Sequence, residues 1–328
     1  MKAVRIHEDG GPEVLRYEDA PDPAAGAGEV LVRLKAASLN HLDIWMRKGL
    51  PSVPKPRILG ADGAGTVEAL GEGVDGRLSP GQEVVLNPGL ADGAHIIGEH
   101  CDGTHAELIA VPADYVHPKP THLSFEQAAA FPLVYETAYR MLVTRAALQP
   151  GEWVLCWGVG SGVGSAALVL AKALGARVVV TSSSDEKLAR ATALGADVAL
   201  NHATADVARE VKAATGGHGV DVVVEHVGEA TWKTSLSVAA QGGRIAVCGA
   251  TSGPNPPAGL NRIWWKQLSV LGSTMATRGD FAALLELLEA GHITPIVDRT
   301  FPLAEAAEAH RRLEAAEQFG KIVLTIPA

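Results

Sequence analysis

The chain has 328 residues, 47% of them hydrophobic and 20% charged, which suits two domains with sizeable cores. Its net charge of -9 and its lack of basic runs argue against nucleic acid as a partner, because phosphate binding needs clustered Lys or Arg. No apolar run approaches the roughly 20 residues that cross a bilayer, and residues 1–6 are typical of a strand rather than a signal peptide. We therefore expect a cytoplasmic protein with no membrane partner.

Short alternating segments with frequent Gly and Pro fill the first 120 residues. Residues 30–34, 63–68 and 83–86 are examples, and each is only a few residues long. Strands of this kind, separated by turn residues, are typical of antiparallel sheets that curve into a barrel. This part of the chain is therefore predicted to form a mostly β, partly closed barrel-like unit.

The pattern changes near residue 123, where helical and strand-like segments begin to alternate. A helix is predicted over residues 124–143, starting at a capping signal formed by Ser124 and Gln127. The predicted strands of this region are 153–156, 178–181, 222–225, 244–248 and 268–271, and its predicted helices are 163–174, 185–194, 205–215 and 231–240. After residue 275, helices are predicted at 280–290 and 304–314 and a closing strand at 321–326. Strands joined by crossover helices run parallel, so this region is predicted to contain a doubly wound parallel sheet.

A glycine-rich segment stands between the apolar strand 153–156 and the Ala-rich helix after it. Its residues are Gly158, Val159, Gly160, Ser161, Gly162, Val163 and Gly164. A diphosphate must approach the backbone closely at a helix amino end, where free N–H groups and the helix dipole stabilise its charge, and a Cβ would prevent this. The alternative is a glycine-rich turn that binds nothing, but strand, loop and helix in this order favour a dinucleotide site. The predicted binding residues in this segment are Gly158, Gly160, Ser161, Gly162, Val163 and Gly164.

Serines rather than an acid end the second strand of this region, at Ser182 and Ser183. An NAD site requires a carboxylate there for the ribose hydroxyls, whereas serine hydroxyls with Lys187 nearby suit the 2′-phosphate of NADPH. NADPH is therefore favoured over NADH. A second interpretation is that Ser183 and Glu186 form a capping box at the start of the next helix, and both can hold together.

These segments together resemble the medium-chain dehydrogenase/reductase superfamily over essentially the whole chain. The matching motifs are the opening strand with residues 11–15, and residues 36–43, 59–65, 158–164, 195–197 and 319–324. The resemblance implies an α/β protein with a GroES-like, mostly β catalytic domain and a Rossmann doubly wound parallel-sheet cofactor domain. The expected bounds are 1–122 and 275–328 for the catalytic domain and 123–274 for the cofactor domain. It also implies a homodimer or homotetramer joined through the Rossmann domains, and Gly249 and Lys321 complete the predicted cofactor-binding set.

Zinc ligands are missing from the positions where zinc-dependent members of this superfamily carry them. Asn40, Ala61 and Leu133 stand at those positions, and neither Ala nor Leu coordinates zinc. The region of a four-cysteine structural zinc lobe is shortened to residues 87–100, and no CxxC motif occurs. The histidines His41, His95, His100 and His105, with Cys101 and Asp102, match no standard metal site and are predicted to be solvated loop residues. No metal is expected.

The resemblance therefore implies a zinc-free oxidoreductase that passes hydride from NADPH to a quinone, an enone or another activated carbonyl. Asn40, His41 and Tyr135 are the candidates for stabilising negative charge on oxygen, and each has a structural alternative as a turn, surface or packing residue. Asp43 is expected to orient Asn40 or contact ribose, and Asp62 to lie near the same cleft. The alternatives are an NAD(P)-dependent alcohol dehydrogenase and a non-catalytic NADPH-binding protein. Arg262, Trp264 and Trp265 either line the cleft or, for the tryptophans, pack in the core or against another subunit.

Overall fold

Strands dominate both ends of the chain and alternate with helices between them in the computed structural model, which describes residues 1–327. The strands are β1 (Lys2–Ile6), β2 (Leu15–Asp19), β3 (Glu29–Ser38), β4 (Arg57–Ile58), β5 (Asp62–Leu70), β6 (Glu83–Leu86), β7 (Gly89–Leu90), β8 (His95–Ile96), β9 (Leu108–Pro112), β10 (Val116–Pro118), β11 (Trp153–Cys156), β12 (Arg177–Ser182), β13 (Val198–Asn201), β14 (Val220–Glu225), β15 (Ala239–Val247), β16 (Ser269–Gly272), β17 (Val297–Pro302) and β18 (Lys321–Thr325). The α-helices are α1 (His41–Arg47), α2 (Phe125–Ala129), α3 (Pro132–Tyr139), α4 (Gly162–Ala173), α5 (Asp185–Ala193), α6 (Val207–Ala214), α7 (Glu229–Val238), α8 (Leu260–Trp265), α9 (Arg278–Glu289) and α10 (Ala306–Glu314). No helix within residues 1–327 is long and apolar enough to cross a membrane.

Two units divide the chain at different residues from those expected. Unit 1 comprises Met1–Leu133 and the segment from Pro295 onward, and unit 2 comprises Val134–Thr294. The expected limits lay at 122 and 275. Helix α2 belongs with unit 1 because it packs against β3, β5 and β18. Helix α9 belongs with unit 2 because the Asp280 carboxylate accepts hydrogen bonds from Arg140 and Thr144.

The main sheet of unit 1 has the strand order β10-β6-β5-β3-β18-β17, and β9 also pairs with β3. Its register brings distant segments together, because Ser38 at the end of β3 pairs with Asp62 on one side and Val323 on the other. The apolar faces of these strands and of α10 form one core, which includes Val32, Leu34 and Leu324. The mostly β unit expected from the sequence is confirmed, and its register creates the polar cluster described below.

Unit 2 contains a parallel sheet in the order β13-β12-β11-β14-β15-β16. Each predicted strand of this region is present, which confirms the doubly wound sheet; β13 and α8 had no sequence prediction. Its core is formed by residues such as Leu155, Val179 and Val223, which come from the central strands. Strands buried on both faces explain the continuous apolar runs in the sequence.

The single helix predicted over residues 124–143 is wrong, although its start is confirmed. The Ser124 side chain accepts the N–H of Gln127, and the Gln127 side chain accepts the N–H of Ser124. Helix α2 then ends at Ala129, and α3 begins at Pro132. Proline has no N–H to donate and suits the first position of a helix, so it starts a new helix here rather than continuing the old one.

Candidate active site

The glycine-rich loop turns from β11 into α4 in the way that close diphosphate binding requires. Gly158 adopts a φ of +55°, a conformation that favours glycine. The Ser161 hydroxyl accepts the N–H of Gly164 at 3.0 Å and caps the helix. A Cβ on Gly164 would lie 2.7 Å from the Gly158 carbonyl oxygen, so any larger residue would displace the loop. The N–H groups of Gly162 and Val163 lie in the first turn, where no helix carbonyl accepts them.

The serines at the end of β12 differ in burial and in hydrogen bonding. Ser182 is buried, and its hydroxyl accepts the N–H of Ser184 at 3.1 Å. Ser184 rather than Ser183 caps α5 by accepting the N–H of Lys187, so the predicted capping box of Ser183 with Glu186 is wrong by one residue. Ser183 is exposed and Lys187 is half-buried. The serine at 183 is therefore free of the capping role that the sequence suggested.

The carboxylate of Asp185 does not lie at the end of β12. It is the first residue of α5, and its carboxylate accepts a hydrogen bond from the Asn201 amide at 2.7 Å. Gly249, also predicted to contact the cofactor, follows β15 at the carboxyl edge of the same sheet, as the glycine loop and the serines do. These residues all belong to unit 2.

Asn40, Asp62 and Lys321 meet in a buried polar cluster within unit 1, at 5%, 0% and 3% exposure. The Lys321 ammonium donates to Asn40 Oδ1 at 2.5 Å and to Asp62 Oδ2 at 2.9 Å. Asn40 Nδ2 donates to Asp62 Oδ2 at 2.9 Å. Ser38 Oγ and the Leu133 N–H also donate to the Asp62 carboxylate. A buried charge is tolerated when it is paired and fully hydrogen-bonded, as this carboxylate is.

The Asp43 side chain holds the backbone of Asn40. Its carboxylate is fully buried and accepts the N–H of Asn40 at 2.7 Å and the N–H of Gly60 at 2.9 Å. Burial raises the pKa of Asp43 to about 7, against the opposing effect of these two donors. Of the two roles expected for Asp43, this geometry supports the orientation of Asn40.

The remaining two candidates differ in their exposure. Tyr135 is 2% exposed, and its hydroxyl donates to the Thr294 carbonyl at 3.1 Å within unit 2. This supports the packing alternative for Tyr135. His41 is half-buried at the first position of α1, and its ring meets Trp45 edge-on at 6.5 Å.

The prediction that His105 is a solvated loop residue is wrong, because His105 has no exposed surface. Its ring lies against Gly60, where a Cβ would come within 2.3 Å of His105 Cδ2. Burial lowers the pKa of His105 to about 4, so the native ring is neutral at pH 7. His95 and His100 are exposed as expected.

Acid should therefore destabilise the protein through His105. The unfolded histidine, with a pKa near 6.5, binds a proton that the native state excludes, so stability falls as the pH drops from 6.5 towards 4. We expect this residue to contribute about 3 kcal/mol to that loss. Urea unfolding of the wild type and of His105→Gln between pH 7 and pH 4.5 measures this contribution. It is the difference between the two proteins in how steeply the free energy of unfolding falls with pH. An identical pH dependence in the two proteins would contradict the prediction.

A catalytic zinc does not fit the side chains at the superfamily's ligand positions. Ala61 and Leu133 offer no donor atom, and the Asn40 amide oxygen already accepts the Lys321 ammonium. Within residues 1–327, no group of three or more His, Cys, Asp or Glu side chains is arranged to hold a metal ion. Lys321 thus places a positive charge beside Asn40, one of the positions where the resemblance implies a zinc ligand.

Comparison with known proteins assigns the two units. Residues 26–121 match the alcohol dehydrogenase GroES-like domain, and residues 162–290 match the zinc-binding dehydrogenase family. The quinone oxidoreductase of Pseudomonas aeruginosa is 35% identical over 98% of this chain and 99% of its own length. The chain belongs to the medium-chain dehydrogenase/reductase superfamily. The recognition made from the sequence is therefore confirmed, as is the fold class.

Solved structures of the superfamily also resemble this chain over almost its whole length. A crystal structure of an NAD-dependent alcohol dehydrogenase has a TM-score of 0.96 and 46% identity, and the match covers 100% of both chains. A 2-octenoyl-CoA carboxylase reductase in complex with NADP and 2-octenoyl-CoA has a TM-score of 0.92 and 30% identity, covering 99% of this chain and 87% of that one. This medium-chain dehydrogenase/reductase is an oxidoreductase that acts on a small molecule with a nicotinamide cofactor.

Lys321 in unit 1 and His226 in unit 2 have contacts that the sequence did not predict. Lys321 was expected to bind cofactor, yet its ammonium lies in the cluster of unit 1. His226 had no predicted role, although its Nε2 lies 2.9 Å from the Trp157 carbonyl oxygen, directly before the glycine loop. The signal for His226 was its place immediately after a predicted parallel strand, where ligand-contacting residues of such sheets occur.

Proposed function

We propose that this protein is an NADPH-dependent reductase of quinones, enones or similarly activated carbonyl compounds, and that it uses no catalytic metal. The observation that carries the proposal is the Lys321 ammonium, held between Asn40 Oδ1 and Asp62 Oδ2 at 2.5 and 2.9 Å. A fixed positive charge suits substrates that are already electrophilic and need no strong Lewis acid. The names of its relatives, a quinone oxidoreductase and a reductase holding NADP and an enoyl thioester, support this substrate class.

The residues of this chain bind and orient the reactants. First-turn N–H groups of α4 and the loop from Gly158 to Gly164 would hold the diphosphate of NADPH, which supplies the hydride when bound. One Asn40 amide hydrogen is used on Asp62, and the second remains to stabilise negative charge on the substrate oxygen. The Lys321 ammonium on the other side of that amide strengthens this donor. His41, next in the chain and half-buried, is the second candidate for this role.

NADPH is the proposed cofactor because a serine-lined strand end does not repel a 2′-phosphate. Ser183 is exposed, Lys187 is half-buried one turn along α5, and Asp185 is engaged with Asn201. A carboxylate at residue 183 would face the phosphate and also offer hydrogen-bond acceptors to ribose hydroxyls.

Ser183→Asp should therefore shift the preference from NADPH towards NADH. We expect the dissociation constant for NADPH to rise about tenfold or more, as one added like charge near the phosphate implies, while that for NADH is unchanged or lower. Calorimetric titration with each cofactor measures the two constants. Ser183→Asn, of the same size but neutral, is the control. An equal effect of Ser183→Asp on both cofactors would contradict the proposed position of the phosphate.

Turnover assays test the proposed reaction directly. NADPH and NADH are each supplied with a panel of quinones, enones and simple aldehydes, and NADP+ and NAD+ with alcohols. We expect the highest kcat/KM with NADPH and a quinone or enone, and no change after treatment with a chelator. Activity that requires added zinc, or that is confined to alcohols, would overturn the proposal.

An alcohol dehydrogenase is the second candidate, because the protein is 46% identical to a structurally similar NAD-dependent alcohol dehydrogenase. The same panel separates the two functions, since only this candidate predicts alcohol oxidation with NAD+. Cofactor binding without turnover of any substrate would instead indicate a binding protein.

We also propose that the protein forms a homo-oligomer through unit 2. Strand β16 is an edge of the parallel sheet, and Val270 on it is 44% exposed. In α8 nearby in sequence, Trp264 and Trp265 are 64% and 72% exposed, so core packing within the chain does not explain them. A second copy that covers this face would bury apolar surface and pair the free strand edge. Light scattering of Trp265→Glu against the wild type tests this, with a smaller particle expected for the variant.

A further inference from the structure

His226 lies beside the glycine loop, although nothing in the loop's own sequence indicates it. Strands β11 and β14 pair in parallel with Cys156 opposite Val224, so the residues that follow them meet at one sheet edge. His226 Nε2 donates to the Trp157 carbonyl at 2.9 Å. The same nitrogen lies 3.4 Å from Ser161 Oγ, which is the capping atom of α4. The ring thus contacts both the start of the loop and its end.

Glycine keeps the space between this ring and the loop open. A Cβ on Gly158 would lie 3.6 Å from His226 Cε1, so the imidazole edge borders the first glycine. Nε2 is used on the Trp157 carbonyl, and Nδ1 has no hydrogen-bond partner among the described residues. Nδ1 is therefore the nitrogen that can accept a proton.

The backbone that carries His226 is firmly fixed. The Glu225 carboxylate is fully buried and accepts the N–H groups of Val227 and Gly228 at 2.9 and 3.0 Å. It also accepts the hydroxyls of Thr231 and Ser235. The backbone on either side is thus held, and the hydrogen bond of Nε2 to the Trp157 carbonyl keeps the imidazole against the loop.

We propose that His226 takes up a proton at Nδ1 when a dinucleotide binds, and that the resulting imidazolium stabilises the diphosphate in the glycine loop. The proton comes from solvent, and no other bond is made or broken. The inference rests on the proposed cofactor role of this loop and adds a pH-dependent residue to it.

The surroundings of His226 disfavour its charged form in the free protein. Burial lowers its pKa, and the nearby Glu225 carboxylate opposes this only in part. The adjacent strands end with the thiols of Cys156 and Cys248, and burial raises the pKa of both to about 12, so neither titrates near neutrality. The loop segment from Trp157 to Ser161 carries no titratable side chain. A bound diphosphate would add negative charge and raise the histidine pKa, so protons are taken up and affinity weakens as the pH rises.

Calorimetry with ADP-ribose tests this, because that ligand has the diphosphate but neither the nicotinamide nor a titrating 2′-phosphate. Titrations at pH 6.5, 7.25 and 8 in buffers of different ionisation enthalpy give the number of protons bound. We expect net uptake by the wild type and a dissociation constant that rises about three- to tenfold across this range, as a shift of up to one pKa unit implies. His226→Gln, whose amide can still donate to the Trp157 carbonyl, should bind with no uptake and little pH dependence.

His218→Asn is the matched control, because His218 precedes the same strand β14 at its opposite end and pairs with Asp221. It should retain the proton uptake of the wild type.

If His226→Gln loses binding altogether, His226→Asn is titrated in the same way, and thermal unfolding of both variants reports whether they fold. Proton uptake that persists in a folded His226 variant overturns the inference. Wild-type binding without proton uptake also overturns it but leaves the cofactor role intact, whereas no wild-type binding of ADP-ribose, NADPH or NADH overturns the proposed function itself.

Discussion

Lys321→Met should destabilise the protein by about 3–5 kcal/mol, because it removes the counter-ion of a fully buried carboxylate. Asp62 would retain its donors from Ser38, Asn40 and the Leu133 backbone, but no positive charge would remain beside it. Urea unfolding at pH 7.5 measures the loss. Lys48→Met is the matched control, since the Lys48–Glu314 pair lies at the surface and should contribute less than about 1 kcal/mol.

The double variant Lys321→Met with Asp62→Asn separates stability from catalysis. Removing both charges should restore most of the unfolding free energy, because position 62 then carries no unpaired charge. If the ammonium also strengthens the Asn40 amide as a donor, the refolded double variant should still lose roughly 100-fold in kcat, with little change in KM. A loss of less than 1 kcal/mol in unfolding free energy for Lys321→Met would contradict the structural role of Lys321. A wild-type kcat for the double variant would contradict its catalytic role.

Gly164→Ala should abolish tight dinucleotide binding while leaving most of the fold intact. Its Cβ would lie 2.7 Å from the Gly158 carbonyl oxygen and 3.0 Å from that of Trp157, and these backbone atoms cannot yield without moving the loop. We expect the dissociation constant for NADPH to rise by about 100-fold and stability to fall by about 1–3 kcal/mol. Fluorescence titration with NADPH and urea unfolding measure the two effects.

Gly279→Ala provides the comparison for this substitution. Gly279 is the second residue of α9, as Gly164 is the third of α4, but its added Cβ would meet only Thr277 Oγ1 at an ordinary 3.7 Å. It should leave NADPH binding unchanged and stabilise the helix by up to about 1 kcal/mol. Equal affinity of Gly164→Ala and the wild type for NADPH would refute the interpretation of the loop.

Local patterns allowed the sheet of unit 2 and its glycine loop to be predicted. The apolar run of β11, the glycines after it and the small residues of α4 are neighbours in the chain, and each favours the same strand-loop-helix turn. The break at Pro132 was also a local signal, but the helical pattern on both sides of it concealed the interruption. The Ser184 cap differed from the predicted one because either of two adjacent serines can cap a helix, and the Glu186 signal pointed to Ser183.

The polar cluster of unit 1 could not be predicted from local patterns. Asn40 and Lys321 are 281 positions apart, and only the pairing of β3 with both β5 and β18 brings them into contact. The burial of His105 is also non-local, since its ring lies against Gly60 and meets the ring of His310 on α10 edge-on at 6.2 Å. The sequence identified Asn40, Asp62 and Lys321 as separate candidates, but their joint role depends on this register.

An enzyme that handles quinones and enones works among compounds that alkylate thiols. Thiolate is the reactive form, and a thiol with a pKa near 12 is ionised in only about one molecule in 100,000 at pH 7. Cys156 and Cys248 have such pKa values, and Cys156 has no exposed surface. Burial also raises the pKa of Cys101, on the other unit. We therefore expect the buried thiol of Cys156 to react slowly with the proposed substrates.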